Sequence, residues 1–404
     1  MPALRLARQL LFSSILTAGF LGGFACGGIR DATTAPRPDP LPPPTSPARV
    51  GTPVSSTLPD DTPLNVVLVI GDGMGLTQIS AGMYASGDAI ALERMSVIGL
   101  HKSYSSDNLV TDSAAGATAF SCGDKTYNGA IGVRPDGSPC PTLLEFAAAR
   151  DMPTGLVVTS TIVHATPAAF YAHEASRQSY ENIAAQLAEA DVDFFVGGGQ
   201  KFFTNRVGDD RDLFDEMRRG GRVVESYFDK TLSDIHASAN TPYGYLTADE
   251  DPLPAAQGRD YLAPASRKAL DYLSARDADQ RGFFLMIEAS QIDWGGHAND
   301  GPYIVSEVQD FSRTLDTVLD WAAERGNTLV VVTADHETGG FAINNGSTRS
   351  EMVFGFTSDY HTATLIPVFA EGPGATAFAG IYENTAIYDK LHALLAHDRA
   401  APTE

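Results

Sequence analysis

The run Val110-Thr111-Asp112-Ser113-Ala114-Ala115-Gly116-Ala117-Thr118 sets a serine directly behind an aspartate and ahead of small residues that would let a helix pack close to a substrate. A serine that opens a helix presents its oxygen beside free backbone N–H groups and the positive end of the helix dipole, surroundings that suit an anionic group such as phosphate. Ser113 is therefore the candidate nucleophile, with Asp112 as its acidic neighbour. Asp-Ser pairs ahead of helices are also ordinary N-caps, and the stretch alone leaves both readings open.

Metal-ligating residue types recur along the rest of the chain. Asp72 lies in Gly71-Asp72-Gly73-Met74-Gly75, Thr166 follows an apolar run ending near Ser160, and Glu288 follows Phe284-Leu285-Met286-Ile287. Asp293 and His297 stand four apart, Asp335 and His336 follow Val330-Val331-Val332, and His361 comes later. Imidazole and carboxylate suit zinc, whereas an all-oxygen set suits magnesium. Each has an ordinary alternative: a Gly-Asp-Gly turn, a solvated loop pair at Asp293 and His297, a strand-end hydrogen bond at Asp335-His336, a surface position for His361. Taken together they form a set of donors after strands, which chance explains poorly.

The elements that must position them follow from periodicity. Leu64 to Ile70 is β-branched and almost continuously apolar, as a strand covered on both faces should be. Further strands are expected at Gly155–Thr159, Phe194–Val196, Phe283–Ile287, Thr328–Val332 and Leu365–Ala370. Helices are expected at Thr142–Arg150, Tyr180–Ala190, Ala265–Ala275 with Pro264 just ahead, and Tyr303–Arg325, where Ile304, Val308, Phe311, Leu315, Val318 and Ala322 recur at three- and four-residue spacing. Such alternation predicts an α/β fold with a largely parallel sheet and helices on both faces. Open sheets of this kind bind ligands beyond the carboxyl ends of their strands, so the donors converge on one edge.

A chain of 404 residues with 43% hydrophobic content has room for a large core, and its formal net charge of -22 argues against nucleic acid or an anionic membrane surface as a partner. An anionic substrate would need local cations, from metals or an arginine. Arg5 and Arg8 ahead of the apolar run Leu10–Phe24 read as an export signal over residues 1–26, and Cys26 leaves lipidation and simple cleavage open. Residues 27–63, dense in Pro, Ser and Thr from Ala35, read as a linker, with a catalytic domain over 64–398 and a short tail at 399–404. Cys122 and Cys140 are an even pair in a chain that reads as exported, which favours a disulfide over two free thiols.

In order, spacing and residue type the chain resembles the alkaline phosphatase family from about Leu64 to about Leu395. The match is carried by Gly71–Gly75, Val110–Ala115, Lys125-Thr126-Tyr127-Asn128-Gly129, His164-Ala165-Thr166-Pro167-Ala168, Ser176-Arg177, Glu288-Ala289-Ser290-Gln291-Ile292-Asp293, His297, Thr333-Ala334-Asp335-His336 and His361-Thr362. The resemblance implies a three-layer sandwich with a large, mostly parallel central sheet, and a site with two zinc ions and one magnesium. Asp293, His297 and His361 would hold the first zinc; Asp72, Ser113, Asp335 and His336 the second; Asp72 would bridge to a magnesium completed by Thr166 and Glu288. The implied reaction is hydrolysis of phosphate monoesters to an alcohol and inorganic phosphate through a phosphoserine at Ser113, with broad specificity and an alkaline optimum. Arg177 would clamp two phosphate oxygens with its planar fork, oriented by Asp112, the plainer alternative being a surface ion pair.

Two features depart from the best-known bacterial pattern. His164 and Trp294 stand where that pattern carries an acid and a lysine, making both candidates for the third-metal or phosphate shell. The interval from His336 to His361 is short, with little room for an inserted domain of the kind some relatives carry at their dimer interface, and the chain could be a monomer or a homodimer. Among rival readings, Cys140-Pro141-Thr142-Leu143 does not supply the motif a sulfatase needs; a phosphodiesterase would more often carry threonine at the nucleophile. An envelope phosphate-binding protein without catalysis is opposed by the retention of Ser113, Arg177 and the zinc ligands.

Overall fold

A computed structural model describes residues 64–87 and 89–396. The expected export signal, Cys26, the linker and the tail lie outside the described residues. The strands are β1 (Asn65–Gly71), β2 (Val97–Lys102), β3 (Thr154–Thr161), β4 (Phe194–Gly198), β5 (Val223–Ser226), β6 (Tyr243–Leu246), β7 (Phe284–Ala289) and β8 (Thr328–Thr333). Four two-residue strands follow, β9 (Glu337–Thr338), β10 (Ala342–Ile343), β11 (Phe354–Gly355) and β12 (His361–Thr362), and then β13 (Leu365–Glu371) and β14 (Gly380–Glu383). The central sheet has ten strands in the order β14-β2-β13-β8-β1-β7-β3-β4-β6-β5. Only β13 runs against the rest, pairing antiparallel with both β2 and β8.

Strand β1 shows why this sheet lies inside the molecule. Val66, Val67, Leu68, Val69 and Ile70 are all fully buried, each burial contributing about 1.5–3 kcal/mol. Val66, Leu68 and Ile70 pack into one cluster with residues of the helices Ser113–Cys122, Leu143–Ala148, Tyr180–Glu189 and Thr385–Leu395. Val67 and Val69 face the opposite cluster, built on the helices Leu76–Ser86, Leu262–Arg276 and Gly301–Arg325. The side-chain period of two thus separates two cores across one sheet, the three-layer sandwich that the sequence predicts.

The longest helix spans Gly301–Arg325, two residues earlier than the periodicity indicated, because Asp300 caps it by accepting from Tyr303 N–H at 3.0 Å and Pro302 occupies its first turn. Its six predicted apolar positions are all buried. The helix expected from Ala265 begins at Leu262, so Pro264 sits inside the first turn rather than ahead of it, where its missing N–H still has no intrahelical partner to lose. Strands β2, β5, β6 and β14 have no counterpart in the sequence-based expectation. They are short, and β2 and β14 are only partly buried, so they lack the continuous apolar run that marks β1.

Cys122, the last residue of its helix, is joined to Cys140 with a Cα–Cα separation of 5.8 Å. The loop so closed is also held by His173, whose Nδ1 lies 2.6 Å from Gly132 O and whose Nε2 lies 3.0 Å from Glu145 Oε1. Both ring nitrogens face acceptors, an arrangement only the protonated imidazole satisfies. The Glu145 carboxylate, opposed in part by burial, therefore holds His173 above its ordinary pKa. A raised folded-state value contributes stability that is fully present below the unfolded value of about 6.5 and is lost as pH rises through the folded one. Thermal unfolding across pH should show wild type exceeding His173→Gln by its largest margin below about pH 6.5, the gap narrowing on the alkaline side; a gap that widens with pH would contradict the doubly donating imidazole.

Candidate active site

The carboxyl ends of the central parallel strands supply the site. Asp72 follows β1, Glu288 lies in β7, and Asp335 and His336 follow β8. His164 and Thr166 lie just beyond β3, Thr166 within the short helix Ala165–Ala168. Asp293, Trp294 and His297 ride on the helix Gln291–His297 after β7, and His361 is brought alongside Thr338 by the β9–β12 pair. Two glycines permit the approach. Gly73 adopts φ +72°, and a Cβ there would lie 2.6 Å from Asp293 Cα. A Cβ on Gly116 would stand 3.0 Å from Asp335 Cβ, so the glycine brings the Ser113 helix close against Asp335.

Ser113 opens its helix as expected, and the two readings of Asp112 turn out to be compatible. Asp112 Oδ1 caps the helix by accepting from Ala115 N–H at 3.0 Å. Its Oδ2 accepts from Gly129 N–H and from Arg177 Nη1, both at 3.0 Å. Arg177 Nη2 lies 3.3 Å from His164 Nε2. Burial alone would weaken the guanidinium, but Asp112 raises its pKa, so it stays charged. Ser113, Arg177, Asp112, Asp293, His297 and His361 line one cleft of about 270 Å³.

Three ligand groups converge at this edge: Asp293, His297 and His361; Asp72, Asp335 and His336; Asp72, His164 and Glu288. In the first, His361 Nδ1 donates to Thr111 O at 2.8 Å and His297 Nδ1 to Asp359 O at 2.7 Å. Their Nε2 atoms face each other at 3.1 Å, with Asp293 oxygens 3.3 Å from His297 and 3.5 Å from His361. A positive charge must sit among them, and the hydrogen bond to Asp293 accordingly lifts His297 to about 9 while burial drives His361 down to about 4. In the second, His336 Nε2 lies 3.2 Å from Ser113 Oγ, 3.1 Å from Asp335 Oδ2 and 3.5 Å from Asp72 Oδ1. Serine thus joins that group.

The donor sets call for cations. Among the described residues, Asp72 Oδ1 and Oδ2, Thr166 Oγ1 and Glu288 Oε1 are buried and without a hydrogen-bond partner. Burial, with Asp335, Asp293 and Glu288 nearby, pushes the Asp72 carboxyl far above its ordinary value. Burial likewise lifts Glu288 to about 8. Carboxylates left so would be strongly unfavourable, and a divalent ion removes the conflict. His164 belongs to the third group, its imidazole kept neutral by burial and by Arg177, at about 3. Trp294 stands edge-on to it with ring centroids 6.2 Å apart, so it packs against the third ligand group through His164.

Several contributors had no signal in the sequence. Thr338 Oγ1 donates to Asp293 and, 3.2 Å from His336 Nδ1, accepts from it, which turns the other imidazole nitrogen towards Ser113. Tyr360 stacks on His361 at 4.2 Å between ring centroids and lines the cleft with Tyr180 and Gln178.

The family model for alkaline phosphatase matches residues 64–359. The chain belongs to the alkaline phosphatase family. Alkaline phosphatase 3 of Bacillus subtilis (strain 168) is 38% identical over 295 residues, which cover 69% of this chain and 62% of that relative, so less than two thirds of its length is spanned. Alkaline phosphatase 4 of the same organism is 37% identical, covering 80% of this chain and 86% of its own. The alkaline phosphatase of the Antarctic bacterium TAB5 superposes with a TM-score of 0.77 at 44% identity, over 83% of this chain and 98% of its own. A histidine-to-glutamate mutant of the TAB5 enzyme, with magnesium bound in its M3 site, superposes with a TM-score of 0.78 at 43% identity, over 83% of this chain and 99% of that one.

Gly73→Ala should be costly, since it combines an unfavourable positive φ with a backbone contact against Asp293. A loss of about 2–4 kcal/mol is expected, with weakened metal retention, because relief of the contact moves Asp293 away from Asp72. Chemical denaturation and metal content after dialysis measure both, and a near-neutral substitution would mean that the Asp72–Asp293 approach is not constrained here.

Proposed function

We propose that this chain hydrolyses phosphate monoesters, transferring the phosphoryl group first to Ser113 and then to water. The observation that carries this reading is the placement of Ser113 Oγ at a helix start, 3.2 Å from His336 Nε2 and in the same cleft as Arg177. The fitting ions are zinc at Asp293, His297 and His361, zinc at Asp72, Ser113, Asp335 and His336, and magnesium at Asp72, Thr166 and Glu288. Such ions, when bound, supply Lewis-acid stabilisation of the attacking and leaving oxygens.

The chain's own groups do the rest. Arg177, charged and held by Asp112, presents its fork to two non-bridging phosphate oxygens and fixes the phosphorus before Ser113 Oγ. The serine hydroxyl gives up its proton and its oxygen forms a new bond to phosphorus as the bond to the alcohol oxygen breaks, the departing alkoxide taking a proton from water. Water then attacks the phosphoserine from the vacated side, releasing inorganic phosphate and restoring the hydroxyl. The buried disulfide supports an oxidising compartment, in keeping with export.

Ser113→Ala should remove nearly all turnover of 4-nitrophenyl phosphate and leave no phosphoenzyme on trapping, and chelation should silence wild type with recovery on adding zinc and magnesium. Full activity of the serine variant would overturn the mechanism. Trp294 brings no positive charge to phosphate, and a nitrogen at His164 favours zinc or cobalt over magnesium. Trp294→Lys is therefore expected to tighten phosphate inhibition, and His164→Asp to shift the preferred third metal towards magnesium. Phosphate inhibition constants and metal-reactivation profiles measure these effects; unchanged values in both would mean that neither side chain reaches the site.

A further inference from the structure

Beside the site lies a buried carboxylate that the reaction does not use. Glu337 directly follows His336 and is 5% exposed. Its Oε1 accepts from Gln78 Nε2 at 2.8 Å and from Phe341 N–H at 2.9 Å. Its Oε2 accepts from Gly340 N–H at 3.2 Å and from the Thr362 hydroxyl. All four partners are uncharged donors, so the position calls for a group that only accepts, and a carboxylate is the side chain that meets it.

The donors come from three segments, and each segment carries a ligand. Gln78 is on the helix that begins four residues after Asp72, and its Nε2 also donates to Thr338 O at 2.8 Å. Gly340 and Phe341 fold back over the chain that has just supplied Asp335 and His336. Thr362 follows His361 and pairs across β9 and β12 with Glu337 itself. Gly75 belongs to the same construction, since a Cβ there would lie 2.5 Å from Glu337 Cγ. The missing side chain at Gly75 leaves the space that the Glu337 side chain fills.

We propose that Glu337 is a positioning residue that locks the segments bearing Asp72, Asp335–His336 and His361 in register, so that their donor atoms meet at metal-binding separation; the inference rests on the metal-dependent reading above. The two-residue pair β9–β12 is too short to hold His361 by its ladder alone. Glu337 adds a side-chain tie to that pair and anchors it to the start of the Leu76–Ser86 helix. Groups that hold a ligand in place commonly set metal affinity by factors of about 10–100.

The test is zinc binding by metal-depleted protein, read by elemental analysis of equilibrated samples and by the rate of release to a chelator. Glu337→Gln keeps the shape and turns an NH2 towards a donor, and should weaken retention by about 10–100-fold. Thr362→Val removes one hydroxyl beside His361 and should weaken retention less, in the same direction; it carries the test if Glu337→Gln fails to fold. At saturating zinc both variants should recover kcat with unchanged KM, which separates placement of the ligands from chemistry. Wild-type zinc affinity in both variants would overturn the positioning role alone, as would a kcat loss that zinc cannot restore. A wild-type protein that takes up no zinc would remove the metal-dependent reading, and this proposal with it.

Discussion

Like charges buried at the end of a sheet are the constraint on which the rest of the structure depends. Asp72, Glu288 and Asp335 are completely buried at neighbouring strand ends, with Asp293 close by. Removing ionised carboxylates from water costs several kcal/mol each, and mutual repulsion adds to it. A fold can tolerate this only if cations occupy the space between them or if the groups take up protons. The upward displacement of Asp72 and Glu288 is the second solution, and the convergence of imidazoles and unpartnered oxygens is the preparation for the first.

Rigidity around the cluster follows from the same demand. Adjacent parallel strands β7, β1 and β8 are buried through their whole length, so their carboxyl ends cannot drift apart without opening both cores. What the strands do not reach is supplied by short-range ties. The Ser113 helix is fixed by Asp112 and by the close approach at Gly116, His361 by Thr111 O, and Asp293 by Thr338. Asp112 illustrates how little of this is single-purpose, since one carboxylate oxygen completes a helix start while the other holds the arginine that would meet phosphate.

Arg177 and the ligand groups are coupled through few atoms. Arg177 touches Asp112 on one side and His164 on the other, and His164 belongs to the group that includes Asp72 and Glu288. A change in which nitrogen of His164 carries the proton therefore alters what Arg177 can donate to.

The order of apolar runs, the type of residue at each strand end and the Asp-Ser start of a helix were legible in the sequence, because burial on two faces and helix capping leave local patterns. Those patterns were enough for the sheet's central strands and the long helix, and residue type marked the donor candidates, whereas their grouping into metal sites, with Ser113 among the ligands, came from the family resemblance. The reversed direction of β13 and the edge strands were not legible, since neither strand direction nor a half-buried four-residue strand has a signature of its own. Nor were Thr338, Tyr360 and Glu337. A hydroxyl that orients a carboxylate, or a carboxylate that ties together chain segments more than 250 residues apart, acts only through proximity created by folding. Residue type determined what could bind a cation; only the tertiary structure decided which atoms would face it, because the hydrogen bonds that orient His361, His297 and Asp293 come from Thr111, Asp359 and Thr338, chain that sequence spacing does not connect.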